Sequence, residues 1–356
     1  MNKTTTYYYK DKPLFGLDIG FSSIKAMQTE NHGGEHHVIG YGIGAFEAGA
    51  VKDGVIIDHE RVAAAAVELF DKGLVGEINT KRVAIAIPTT RTFTRTMNLP
   101  PIKDDELAEA VRLEAEQFIP MPIDELYMDH VVIQRNDKGV ELLSVAAPKK
   151  VIDSYLEFTR LIGLEAVAFD ASILAAGRLF EKQDDHNDIP AVLIDFGSVS
   201  ADITVHDRKV IVTGTIPQGG DTFTEMIAKK LRVSREEAHV IKTKYGLGKS
   251  KKQTEIIEVL KPSMDQIAKE IRRMIRYHED RSDSKQKIEQ IVTMGGGANM
   301  PGLSDYLTNI LRLPVRTSNP WQNLKVHKLQ PPGAHEKSMY VTVAGLSMIE
   351  PKELFV

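Results

Sequence analysis

Two short stretches hold the residues best suited to chemistry. In "LFGLDIGFSSIK" (14–25) an apolar run delivers Asp18, Gly20, Ser22, Ser23 and Lys25 to the tip of a tight hairpin. In "AVLIDFGSVSADI" (191–203) the order returns: an apolar run, Asp195, Gly197, Ser198, and a second apolar run. Such turns leave backbone N–H groups free to hold an anion, and glycine lets the backbone approach it closely. One Asp-x-Gly turn is ordinary hairpin chemistry, because Asp, Gly and Ser are common turn residues. Two of them, about half the chain apart, indicate an internal duplication with a turn from each half facing the other. An aspartate from each turn can then hold a hydrated Mg2+ through water, since the ion usually keeps several waters. A third stretch, "IVTMGGGANMPGL", sets Gly295, Gly296 and Gly297 after a buried strand and clears side chains from where a flat base could lie. Gly219 and Gly220 make a further turn before a helix. No Walker A loop is present. Gly246–Ser250 ends in GKS, but its loop is too short, and it reads as a solvated linker.

The elements that must position these turns follow from periodicity. Strands are expected at about 14–20, 23–29, 37–46 and 82–88, with a helix over 58–73 capped by Asp58 and stopped by Gly73. "KDDELAEAVRLEAEQFIPMP" places Leu107, Val111, Ala115 and Phe118 on one helical face and ends at Pro120 and Pro122. Strands at 126–135 and 140–147, helices at 149–162 and 171–181, and a long helix from about Pro262 complete the outline. The resulting divisions are a disordered arm (1–13), a first lobe (14–80 and 148–184), an insertion (81–147), a second lobe (185–340) and a helix returning to the first lobe (341–356). The polar loop "EKQDDHND" marks the boundary between lobes.

Composition narrows the function classes. The 356 residues suffice for two lobes, and a net charge of −4 gives no electrostatic reason for a nucleic-acid partner. The absence of cysteine excludes a disulfide scaffold and a thiolate zinc site. The opening residues lack the apolar core of a signal peptide, and no apolar run approaches the ~18–20 residues needed to cross a bilayer. A cytoplasmic protein without direct membrane insertion is expected, with any membrane contact made through a partner.

The three glycine-bearing turns resemble, in order and spacing, the first phosphate, second phosphate and adenosine motifs of the actin, sugar-kinase and heat-shock ATPase superfamily. A narrower resemblance lies in "LPPIKDDELAEAVRLEAEQFIPMPIDELYMDHVVI", with Arg112, Glu114, Ala115, Glu116, Ile119 and Pro120, and in "GGDTFTEMIAKKLRVSREEAHVIK". Both are similar to the PilM family of type IV pilus assembly, relatives of the cell-division protein FtsA. The resemblance implies an α/β, actin-like (ribonuclease H-like, duplicated) two-lobed fold with a small α/β insertion in the first lobe. It implies ATP and Mg2+ as ligands. It also implies a role as a scaffold of the inner-membrane platform of a pilus, or of a related secretion or competence system. The implied partner is the cytoplasmic N-terminal tail of a PilN-like membrane protein, with pilus motor ATPases and self-association as further contacts. Recruitment to the cytoplasmic face of the inner membrane follows from such a partner. Arg91, Arg95 and Arg112 are the cations expected to line the tail's groove on the insertion. Lys242 matches the lysine of the family's nucleotide-contacting helix, but His239 stands where a glutamate is usual, leaving Glu237 to substitute or the contact weakened.

Hydrolysis needs a polar group that places water in line with the γ-phosphate. Between the lobes, "AVAFDASILAAGRL" offers Asp170 and Ser172, and Asp170 is expected to cap the helix starting at 171. At most slow turnover is expected. A sugar kinase would need a base facing a polyol pocket, and none stands in such a motif. An FtsA-like protein is expected to end in a basic amphipathic helix, which "MIEPKELFV" does not resemble.

Overall fold

A computed structural model describes residues 12–183, 189–281 and 286–350. The arm at 1–11, most of the boundary loop and the tail beyond 350 lie outside the described residues. In chain order the elements are β1 (Phe15–Ile19), β2 (Ser23–His32), β3 (Glu35–Ala45), β4 (Val51–Lys52), β5 (Val55–Ile56), α1 (His59–Glu68), β6 (Leu74–Gly76) and β7 (Arg82–Ile87). The insertion and the rest of the first lobe supply β8 (Phe93–Leu99), α2 (Asp104–Glu116), β9 (Leu126–Asn136), β10 (Gly139–Pro148), α3 (Lys149–Leu161), β11 (Glu165–Ala171) and α4 (Ser172–Gln183). The second half adds β12 (Ala191–Phe196), β13 (Ala201–His206), β14 (Val210–Ile216), α5 (Gly220–Leu231), α6 (Arg235–Lys244) and α7 (Gln253–Arg281). It closes with β15 (Gln290–Met294), α8 (Leu303–Leu311), β16 (Val315–Thr317) and α9 (Val341–Ser347).

The duplication is written in the sheets. The first lobe's sheet runs β11-β7-β1-β2-β3-β6, and the second runs β14-β13-β12-β15-β16. Each contains an antiparallel meander (β1-β2-β3 or β12-β13-β14) extended by two parallel strands (β7 and β11, or β15 and β16). The strands that enter the acidic turns are covered on both faces, as parallel neighbours require. Phe15, Leu17 and Ile19 are buried in β1, and Val192, Ile194 and Phe196 in β12.

Two helices tie the lobes together. α4 packs on α9, and α9 lies across β1, β2 and β7. The contact is tight: a Cβ on Gly345 would lie 1.8 Å from the Ala175 carbonyl oxygen, and one on Gly16 2.5 Å from that of Val343.

Several expected boundaries shift. Arg82–Ile87 is a central strand of the first lobe, paired with β1 and β11, so the insertion begins after it and not at 81. The insertion is a three-stranded sheet, β8-β10-β9. α2 covers one of its faces with Leu107, Val111 and Ala115. Asp104, Asp105 and Glu106 in the first turn of α2 suit the positive end of the helix dipole. The long helix α7 begins at Gln253, with Pro262 inside it. Gly246–Ser250 is not a free linker: Leu247 is buried, and its N–H donates to the Pro301 carbonyl at 2.7 Å.

Candidate functional site

Pseudo-symmetry sets the chemistry of the cleft. In the β1–β2 hairpin Asp18 lies directly opposite Lys25, and in the β12–β13 hairpin Asp195 lies directly opposite Asp202. The first hairpin is therefore self-neutralising, with Lys25 Nζ 2.9 Å from Asp18 Oδ2 and both side chains largely buried. The second hairpin pairs acid with acid. Burial, then the Asp202 and Asp18 carboxylates, push Asp195 from 3.8 up to about 7, with Lys25 acting against the shift. Burial likewise raises Asp202 to about 6, opposed by the Thr215 hydroxyl, which donates to its carboxylate at 2.6 Å. Among the described residues no three such groups stand close enough together to ligate a metal directly, but the excess of carboxylates over the Lys25 ammonium suits a cation that keeps its own waters, as Mg2+ usually does. Asp202 was not singled out from the sequence, yet its seven-residue offset from Asp195 repeats that of Lys25 from Asp18 and could have revealed it.

Backbone turns surround these acids. The Gly20 N–H closes the first turn on the Ser23 carbonyl at 2.8 Å, leaving Ser22 and Ser23 partly exposed at its tip. The Gly197 N–H closes the second on the Ser200 carbonyl at 2.9 Å. The Gly219–Gly220 turn is stitched to the second: the N–H of Gly220 donates to the Gly197 carbonyl at 2.9 Å and that of Asp221 to the Ser198 carbonyl at 2.8 Å. A Cβ on Gly219 would sit 2.5 Å from the Ser198 carbonyl, so only glycine fits there. Behind this pair stands Lys242, a buried lysine whose Nζ donates to the Gly220 carbonyl at 2.7 Å and to Thr224 Oγ1 at 2.8 Å. Burial lowers its proton affinity, and Asp221 acts against that. Its ammonium props the glycine turn from behind.

The third turn closes over the acids. Gly295 has a φ of +81°, and a Cβ there would lie 2.2 Å from Asp195 Oδ1. Gly296 and Gly297 follow in a single tight turn. Gly295 exchanges two hydrogen bonds with Ser338: its N–H donates to the Ser338 carbonyl at 3.1 Å, and Ser338 Oγ donates to the Gly295 carbonyl at 3.0 Å. Asn299 Nδ2 donates to Ser338 Oγ at 2.9 Å. Beside this strap opens a polar cleft of about 410 Å3, lined among others by Asn299, Ser304, Thr317, Lys337 and Ser338. Those polar groups were missed because they carry no glycine signature and come from segments far apart in the chain.

Three expectations change here. Glu237 does not take the place of the missing glutamate: it accepts the Ser234 N–H at 3.2 Å and closes the capping box of α6. His239 is exposed on α6, its proton affinity lowered by burial and by Lys242. Asp170 does not cap α4. It pairs with Arg178 at 2.8 Å, and the Ile173 N–H at the start of α4 donates to Thr89 Oγ1 at 3.2 Å.

The insertion's arginines do not share one groove. Arg112 pairs with Asp124 at 2.6 Å and lines a pocket of about 220 Å3 with Val111, Ile123, His130 and Lys149. That pocket lies where α2 and β9 meet the start of α3. Arg91 pairs with Asp53, and Arg95 of β8 lies 4.7 Å above the Phe118 ring. β8 is the opposite edge strand from β9. There Thr96 Oγ1 donates to the Val210 carbonyl at 3.3 Å, and Lys209 pairs with Glu141 of β10, joining the insertion to the second lobe. Among the described residues no helix is long and apolar enough to cross a membrane.

Known proteins share this architecture. The chain is 25% identical over 350 residues to the cell division protein FtsA of Streptococcus pneumoniae, covering 86% of this chain and 75% of that protein. A solved PilM–PilN type IV pilus biogenesis complex contains a chain that matches with a TM-score of 0.78 at 21% identity, over 94% of this chain and 97% of that one. MreB5 of Spiroplasma citri bound to ADP matches with a TM-score of 0.56 at 14% identity, over 97% and 98%. The fold is thus actin-like, as the repeated turns implied. The family model for the type IV pilus assembly protein PilM matches residues 16–350, and the chain belongs to the PilM family.

Proposed function

We propose that this chain is a nucleotide-binding scaffold of a type IV pilus assembly platform. Mg2+-ATP is held between the Asp18, Asp195 and Gly295 turns. The observation that carries the reading is the pair of acids in the duplicated hairpins, Asp18 opposite Lys25 and the half-buried Asp195 opposite Asp202, with Asp195 pushed to about 7. A hydrated Mg2+ would supply the charge that holds phosphates to this cleft. The chain's own residues set the frame: Lys25 and the Gly20 and Gly197 turns for the phosphates, the Gly295–Gly297 turn and the Asn299–Lys337 cleft for the nucleoside. Asp170 is engaged by Arg178, which favours at most slow turnover.

The partner is the cytoplasmic N-terminal tail of a PilN-like membrane protein, which recruits the scaffold to the inner membrane. A solved chain of similar fold comes from a PilM–PilN complex, and the pocket around Arg112 offers what a short peptide needs: apolar anchors in Val111 and Ile123 and cations in Arg112 and Lys149. The contact of the insertion with Lys209 and Val210 gives a route by which lobe closure on nucleotide alters tail binding.

Titration of a fluorescent ATP analogue with and without Mg2+, followed by a labelled tail peptide, tests both parts. Arg112→Glu is expected to weaken the peptide at least tenfold and leave the analogue's affinity unchanged, while Arg91→Glu leaves both unchanged. Equal peptide binding by all three proteins would place the tail elsewhere. Metal-independent analogue binding would remove the cleft assignment.

A further inference from the structure

Residues 319–330 leave β16 of the second lobe and run along the edge of β3 in the first. Backbone bonds fasten this crossover: the Val38 N–H donates to the Lys325 carbonyl and the Lys325 N–H to the His36 carbonyl, each at 2.9 Å. Trp321 packs against Tyr41 with ring centroids 4.6 Å apart. At the outer edge His327, in a left-handed conformation with φ of 46°, meets His37 of β3. Nδ1 of His37 and Nε2 of His327 face each other within hydrogen-bonding reach. Their ring centroids are 4.6 Å apart and their planes 23° apart. With the nitrogens in contact and the centroids that far apart, the rings meet edge to edge, nitrogen towards nitrogen.

An imidazole-to-imidazole bond of this kind needs one nitrogen with a proton and one without. We propose that His37 and His327 form a proton-released latch that fastens the interlobe crossover to the first lobe. The pair holds while at least one imidazole is neutral. When both become imidazolium the acceptor is gone and two cations face each other.

The surroundings set the direction. From β2, the His32 ring stands 4.8 Å from that of His37, nearly perpendicular to it, and pairs with Glu30 at 3.3 Å. From β3, Glu35 approaches Nε2 of His37 at 3.8 Å but is shared with Lys325 of the crossover at 3.3 Å. His36 lies next to the pair, itself lowered by burial and by Lys182. Glu35 favours a proton on His37, while burial, His327, His32 and Lys325 oppose it and hold His37 below 6.5. A histidine lowered in the folded state contributes its contact above the unfolded value of 6.5 and loses it as the pH falls below that. The crossover continues to Ser338, which straps the Gly295 turn. Release at the latch therefore slackens the nucleoside side of the cleft. The latch itself needs neither nucleotide nor partner.

Hydrogen exchange of the Val38 and Lys325 amides, expressed as protection relative to the free chain, tests it. At pH 8 His327→Ala is expected to lower protection about tenfold. At the low end of a titration carried down from pH 6.5 the unaltered protein should fall to the level of the variant, and the His37→Ala/His327→Ala double variant should lose nothing more at either pH. A loss in His327→Ala that is the same at both pH values, or no loss at pH 8, overturns the proposal. Imidazole NMR of the unaltered protein gives a check without mutation: at pH 8 a proton shared between Nδ1 of His37 and Nε2 of His327 should be seen, and two rings without that hydrogen bond overturn it.

Discussion

Replacing Asp195 with Asn is expected to stabilise the ligand-free protein while abolishing its Mg2+-dependent nucleotide binding. The folded state raises this carboxyl from 3.8 to about 7, so the fold holds the proton more tightly than the unfolded chain does. Below pH ~4 both states are protonated and the site is neutral to stability. Between the two values the unfolded chain ionises first, so stability falls as the pH rises. Above pH ~7 the full shift counts against the fold, on the order of 4 kcal/mol. Asn keeps the shape and removes the charge, but its amide brings donors that the buried site does not satisfy, at about 1–2 kcal/mol. A gain of about 2–3 kcal/mol at pH 8 remains, shrinking towards zero or below at pH 4. Urea unfolding at pH 4, 6 and 8 measures it. Saturating Mg2+-ATP should then invert the order, because only the carboxylate gains from the cation. Parallel pH profiles for the two proteins would refute the reasoning, since Asp195 would then ionise in the fold as it does in the unfolded chain.

Gly20→Ala and Gly197→Ala put a Cβ 3.4 Å and 3.3 Å from the Ser23 and Ser200 carbonyl oxygens, tight contacts that each turn takes by opening a few tenths of an ångström. Each should lower the affinity of a fluorescent ATP analogue at least tenfold, read by titration alongside circular dichroism. Lys242→Met removes the donor shared by the Gly220 carbonyl and Thr224. It should cost about 1–3 kcal/mol in urea unfolding, speed exchange of the Gly220 and Asp221 amides, and weaken the analogue without changing its Mg2+ dependence.

The duplicated frame was legible because its signal is local. An apolar strand, an acid, a glycine and a second apolar strand form one hairpin, and the hairpin recurs. The face of α2 was legible for the same reason, since Leu107, Val111 and Ala115 lie four residues apart. What the sequence hid depends on tertiary pairing. Arg82–Ile87 reads as a buried strand, but only its parallel neighbours β1 and β11 show that it belongs to the lobe and not to the insertion. Arg91, Arg95 and Arg112 look alike as exposed cations, yet they fall near opposite edges of a three-stranded sheet whose order, β8-β10-β9, is not the order of the chain. Asp170 precedes a helix as a cap would, and Arg178, two turns on, draws it away. Asp202 lies in an alternating strand where a charged residue would be assigned to solvent, while across the hairpin it faces Asp195.

The seating of α9 on β1 has a consequence for how the protein is made. Thr29 Oγ1 bonds to the Ser347 carbonyl at 3.1 Å across a separation of 318 residues. Contacts so distant in sequence form late and slow the search for the native topology. At ~5–20 residues per second of synthesis, the strands of the first lobe wait on the order of fifteen seconds or more for the helix that covers them. During that interval Leu14, Ala84 and Ala86, which share a core with Leu346 of α9, present an uncovered apolar face, a natural substrate for chaperones. The second lobe waits on the same segment, because Ala191, Leu193, Val292 and Met294 on the inner face of its sheet share one core with Tyr340, Val341 and Ala344.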